Sequence, residues 1–174
     1  MFKAIELKQT ERALDRFAQK VVKRAKHNLA KRKDGRKGPA NTKEKTLSDS
    51  LKYFLQVFPS GAVELLFTNK GHFDNVEYGR RAGAKQPPPS VLQRWIKIKP
   101  LKLRGAKGQF IKKNDKNIKG AAFVIGRSIA KKGIKPRYFW RDAFAMHWKR
   151  LPGDVIKAYA NDAAKFMRQT MNKK

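Results

Sequence analysis

The chain has 174 residues, and 43 Lys+Arg against 13 Asp+Glu give it a formal charge of +30. Hydrophobic residues at 40% and aromatics at 10% exceed what a disordered polycation carries, and the length suits one folded domain with its own core. No cysteine occurs, which excludes disulfides, thiolate metal sites, iron–sulfur clusters and cysteine nucleophiles.

The first ten residues hold no long apolar run. No window approaches the roughly 18 apolar residues of a spanning helix, so neither a secretory leader nor a membrane span is expected. Ala13, Leu14, Phe17, Ala18, Val21, Ala25 and Leu29 recur at three- and four-residue spacing among Lys and Arg, which predicts an amphipathic helix between Gln9 and Lys31. Residues 31–45 break that pattern. Arg32, Lys33, Arg36 and Lys37 stand there with Gly35, Gly38 and Pro39, the composition of an exposed, flexible basic loop. Residues 51–58 and 62–67 are short aromatic and β-branched runs separated by Pro59-Ser60-Gly61, which predicts a β-hairpin. Alternation around Leu65 and Phe67 gives that hairpin one strongly buried face and one partly covered face.

Residues 68–89 are dense in turn formers and end in Gln86-Pro87-Pro88-Pro89. They read as a long connecting loop, and such loops carry function or form interfaces. Tyr78, Arg80 and Arg81, around Gly79, combine an aromatic anchor with two guanidinium groups and are the candidate subunit-interface residues. Ser90 then opens a short helix with Val91, Leu92, Trp95 and Ile96 on an apolar face, stopped by Pro100; Trp95 is expected in the core. From Arg94 to Lys119 ten basic residues meet one acid, Asp115. Gly105-Ala106-Lys107-Gly108, between Leu101/Leu103 and Phe110/Ile111, predicts a second hairpin inside a basic insert at 99–117. Ile118, Ala122, Ile125 and Ile129 share one face of a helix that Gly133 terminates. Phe139, Trp140, Phe144 and Trp148 repeat at helical spacing up to Pro152, and Val155, Ile156, Tyr159, Ala163, Phe166 and Met167 mark a last amphipathic helix. The assembled expectation is a single α+β domain over residues 1–174, a small antiparallel β-sheet packed with an N-terminal helix and C-terminal helices.

No pattern of catalysis emerges. His27, His72 and His147 stand in separate contexts without ligand spacing. Two carboxylate pairs, Asp74/Glu77 and Asp154/Asp162, would serve a hydrolase only if burial raised one pKa, and among so many cations structural pairing fits better. Gly105 to Gly108 is too short for a phosphate-binding loop and lacks the following Lys-Ser/Thr. Neither an enzyme activity nor a cofactor is expected. Nucleic-acid binding is the class the residues themselves favour. Lys97, Lys102, Arg104, Lys107, Lys112 and Lys113 are interleaved with Trp95 and Phe110, and Arg32, Lys33, Arg36 and Lys37 form an arm; both suit phosphate or acidic-protein contact. Without a zinc-finger, RNP or helix-turn-helix signature, such binding would be backbone-directed and without sequence specificity.

Four segments occur in a familiar order. Thr46-Leu47-Ser48-Asp49-Ser50-Leu51 precedes the first hairpin, Val76-Glu77-Tyr78-Gly79 follows it, a Pro-rich turn leads into Leu92-Gln93-Arg94-Trp95-Ile96, and the stretch from Ala122 to Pro136 is followed by Phe139. This order resembles the neck and tail-completion proteins of tailed bacteriophages, the minor tail-component family named after gene product ten of a lambda-like phage. The resemblance covers nearly the whole chain; the high basicity and the Lys-rich stretch between Lys97 and Lys119 depart from it. It implies an α+β virion structural subunit of a homo-oligomeric ring, hexamer or dodecamer, at the head–tail junction, without catalytic activity. The implied partners are head-completion or connector proteins, tail-tube or tail-terminator proteins, and DNA passing through the lumen, with no membrane and with assembly in the host cytoplasm. Most cations are expected to face neighbouring subunits and solvent, because a strongly cationic lumen would hold phosphates against translocation. The alternative is a stand-alone basic nucleic-acid-binding protein.

Overall fold

The predicted first helix is α1 (Lys8–Ala30) in the computed structural model, and its small buried residues Ala13, Ala18 and Ala25, with Phe17, Val21 and Val22, form the seam on which other helices pack. The structure describes residues 5–30, 47–69, 71, 73–99 and 101–172; the predicted basic arm at 31–45 lies outside them. The chain forms two compact units, one from the segments up to Phe73 and from Tyr138 onward, the other centred on Asp74–Arg137.

In the first unit, a short α2 (Leu47–Ser50) precedes strands β1 (Lys52–Val57) and β2 (Val63–Thr68), which pair antiparallel with Phe54 opposite Leu66 and Tyr53 opposite Phe67. The later helices α6 (Phe139–Trp148) and α7 (Leu151–Met171) both pack on α1. Edge-to-face aromatic contacts bind these pieces: Phe17 to Phe144 at 5.6 Å, Phe67 to Trp140 at 4.9 Å and Phe73 to Phe139 at 5.2 Å. Such pairs add specificity to the area they bury. The Tyr53 hydroxyl donates to Asp15 at 2.7 Å, tying β1 to α1.

Two expectations are corrected here. The hairpin's inner face, Tyr53, Leu55, Leu65 and Phe67, is only half-buried, and Phe54 on the outer face is 57% exposed. A ribbon of two strands is too narrow for one helix and one indole ring to enclose. On α7 the buried residues are Ala158 and Asp162, whereas Ile156, Tyr159 and Met167 of the predicted stripe are exposed. The Asp162 carboxylate has a partner on α1, so α7 turns that line of residues inward.

The second unit begins within α3 (Phe73–Glu77), a short helix inside the stretch expected to be loop throughout. It is followed by α4 (Pro89–Ile98), strands β3 (Leu103–Arg104) and β4 (Phe110–Ile111), and α5 (Asp115–Lys132). Leu92, Ile96, Leu103, Ile118 and Ala122 form its buried core, with Leu101, Ile111, Ile125 and Ile129 packed around them. Helix α4 starts with Pro in its first turn, where a missing N–H costs nothing. Helix α5 is capped by the Asn114 side chain, which accepts from Asn117 N–H at 2.7 Å, and ends at Gly133. Trp95 is 42% exposed and Val91 is exposed too, against the expectation of a core tryptophan. The buried line on α4 is Leu92 and Ile96, one turn apart, which share a core with Ile118 and Ala122 of α5.

Candidate nucleic-acid and partner interface

Two places in the second unit gather the residues singled out in the sequence. The first is the β3–β4 hairpin. Its turn is closed by Gly105 N–H to Gln109 O at 2.8 Å and Gly108 N–H to Gly105 O at 3.0 Å. Opposite-facing alternation along a strand puts Leu103 and its partner Ile111 toward the core, and Arg104 and its partner Phe110 outward. Phe110 is 60% exposed. The Arg104 guanidinium lies 4.6 Å from the ring centre and the Lys102 ammonium 5.3 Å from it, cation–π distances that hold both charges over the aromatic face. Arg104 also donates to Gly108 O at 3.1 Å, which fixes its fork across the turn. Lys107 and Lys112 are exposed nearby in the chain. An aromatic face flanked by cations is the arrangement that stacks a base or meets a phosphate.

The remaining predicted cations of this stretch have structural partners. Lys113 donates to Ile96 O at 3.0 Å and to Lys99 O at 2.6 Å. A cation at those carbonyls caps α4 and complements its dipole. Lys97 pairs with Asp115 at 3.1 Å, both side chains open to solvent, a contact of small energy.

The second place is where residues 78–83 cross the end of α5. Arg80 N–H donates to Ile134 O and Ile134 N–H to Arg80 O, both at 2.9 Å; Gly83 N–H reaches Ala130 O at 2.7 Å. Gly79, at φ +73°, and Gly133, at φ +69°, make the crossing possible. A Cβ on Gly79 would lie 2.2 Å from Ile134 O, and one on Gly133 2.3 Å from Arg80 O. Arg137 N–H closes the same junction on Val76 O and Glu77 O. Of the three candidate interface residues, Arg80 is half-buried and donates to Lys85 O, while Tyr78 and Arg81 are exposed. Arg80 therefore braces the loop, and the other two are presented by it.

Sequence spacing set Asp162 with Asp154 as a structural carboxylate and did not find its role at the start of α1. It accepts from Gln9 N–H at 3.0 Å and from the Thr10 N–H and hydroxyl at 2.9 Å each. A usable signal existed: α1 begins Leu7-Lys8-Gln9 with no Ser, Thr, Asp or Asn ahead of it, so its first N–H groups need acceptors from elsewhere in the fold.

Among the described residues no group of three or more His, Asp or Glu side chains is placed to hold a metal ion, and no helix is long and apolar enough to cross a membrane. Comparison of the chain with protein-family models, curated proteins and solved structures gave no match.

Proposed function

We propose that this chain is a virion structural protein of a tailed bacteriophage, a neck or tail-completion subunit that assembles as a ring at the head–tail junction. The observation that carries the reading is the junction of Arg80 with Ile134. Two segments on which the family resemblance rests, around Val76 to Gly79 and from Ala122 to Pro136, meet there through reciprocal hydrogen bonds. The glycines in both segments sit at the point of closest approach. Their order and spacing thus have a structural reason, and the crossing leaves Tyr78 and Arg81 on the surface for a neighbour. A charge of +30 supports the same reading, because an isolated subunit repels itself and gains by assembling against acidic partners or DNA.

The test is electron microscopy of the purified protein and of purified virions. Rings of one stoichiometry, and density for this chain at the neck, are expected; a protein that stays monomeric at all concentrations and is absent from virions would overturn the assignment. A second reading, a basic protein that binds the nucleic-acid backbone, is favoured by the Lys102–Phe110–Arg104 cluster. It expects a monomer or dimer that binds free duplex with a steep salt dependence.

A further inference from the structure

Helix α1 carries Arg12, Arg16, Lys20 and Arg24 at successive four-residue steps. Like charges at that spacing lie one above another on a helix and oppose helix formation, so local stability does not account for the row. The corner between α6 and α7 is set against it. There Arg16, Lys20, His147 and Arg150 surround a cavity of about 160 Å³, with Phe17 in its wall and Asp154 as its one carboxylate. Among the described residues, Arg16, Lys20, Arg24 and Arg150 form no ion pair, with Asp154 or any other carboxylate. The last turn of α6, through His147, and the first turn of α7, from Leu151, both border the cavity, so a negative and a positive helix end meet there and the side-chain cations set its charge.

We propose that this pocket is a phosphate-binding site, for a phosphate group either free or carried by a nucleic-acid backbone. Two guanidinium forks, one ammonium and one imidazole converge from two sides of the cavity. A tetrahedral oxyanion presents acceptor oxygens in all directions and so reaches donors on both sides of the cavity, whereas a planar carboxylate presents its acceptors in one plane. Burial first, and then the charges of Lys20, Arg24 and Arg150, hold the His147 imidazole below its ordinary pKa. An anion seated among those cations cancels their repulsion and favours the protonated ring, which then donates a further hydrogen bond. The charged side chains facing His147 are Arg16, Lys20 and Arg24 on α1, Arg150 at the corner and Asp154 on α7; Asp154 and the carbonyl end of α6 oppose the anion.

The experiment is an NMR titration of the full-length chain, following the His147 ring resonances against pH with inorganic phosphate, with chloride at matched ionic strength, and with a short DNA duplex. The exposed His27 is the internal control. Phosphate is expected to raise the His147 pKa while chloride does not, and Arg16→Gln or Arg150→Gln each weaken phosphate binding roughly tenfold with the His27 signals unchanged. If the duplex produces the same shift and displaces phosphate, the source is a nucleic-acid backbone; if phosphate alone acts, the ligand is a free phosphate. An equal shift with chloride, no shift with phosphate, or undiminished binding in both variants overturns the proposal. The readout uses the isolated chain and does not depend on ring assembly.

Discussion

The Asp162 carboxylate receives both the backbone N–H and the side-chain hydroxyl of Thr10, each at 2.9 Å, across 152 residues of sequence. One acid on the last helix thereby caps the first, and the two ends of the first unit are joined at a point of nearly complete burial. Replacing Asp162 with Ala leaves buried N–H donors without an acceptor, and urea unfolding is expected to report a loss of about 2 kcal/mol. An unchanged midpoint would mean that water replaces the cap.

The same contact makes stability depend on pH. Burial works to raise the Asp162 pKa, but the donors from Thr10 and Gln9, with Lys165 nearby, outweigh it and hold the carboxyl below its ordinary value. A depressed folded-state pKa contributes stability that is complete above the unfolded value, near about 3.9. That contribution is lost as pH falls toward and through the folded value. The stability difference between the parent chain and Asp162→Asn is therefore expected to be constant from neutrality down to about pH 5 and to shrink below it. A gap that persists unchanged into strong acid would contradict the assignment.

The three glycines at 79, 83 and 133 separate steric from conformational cost. All have positive φ, but only Gly79 and Gly133 have backbone atoms where a Cβ would go, while Gly83 has nothing within 4 Å. Gly83→Ala is expected to cost about 1 kcal/mol, from φ alone, and Gly79→Ala and Gly133→Ala clearly more. Hydrogen exchange at the Arg80 and Ile134 amides gives the local readout: both should lose protection in the second pair of variants and keep it in Gly83→Ala.

Lys112 and Lys113 are neighbours with different work. Lys113→Ala removes the donor at Ile96 O and Lys99 O and is expected to destabilise by up to about 1 kcal/mol. Lys112→Ala should leave thermal unfolding unchanged. Equal behaviour of the two variants would remove Lys113 from its capping role.

For the proposed ring, Tyr78 and Arg81 are the exposed pair to test. Their joint replacement by Ala is expected to shift the protein from ring to monomer in sedimentation at physiological salt, with the thermal midpoint retained. Arg80→Ala should lower that midpoint as well, because this side chain braces its own loop through Lys85 O. Assembly unaffected by the Tyr78 and Arg81 replacements would place the interface elsewhere.

The long helices and both hairpins were legible in the sequence, because their signals are local. Apolar residues three and four apart mark α1 and α5, and Pro59-Ser60-Gly61 and Gly105-Ala106-Lys107-Gly108 mark the two turns. Periodicity says which residues share a face, but not whether that face meets another element. Trp95 shares a face with Leu92, yet Leu92 and Ile96 are the buried residues of α4 and Trp95 stays exposed, and Ile156 and Tyr159 are left outside while Asp162 turns in. The half-covered hairpin has the same origin, since alternation in Leu65 and Phe67 cannot count the strands beside them. The cations show the limit most clearly. Composition establishes their number, but only tertiary structure decides that Lys113 ends on a helix's carbonyls, that Lys97 meets Asp115, and that Arg16, Lys20 and Arg150 face one cavity. Charge acts at the distance of a few ångströms that folding sets, and those distances join residues far apart in the chain.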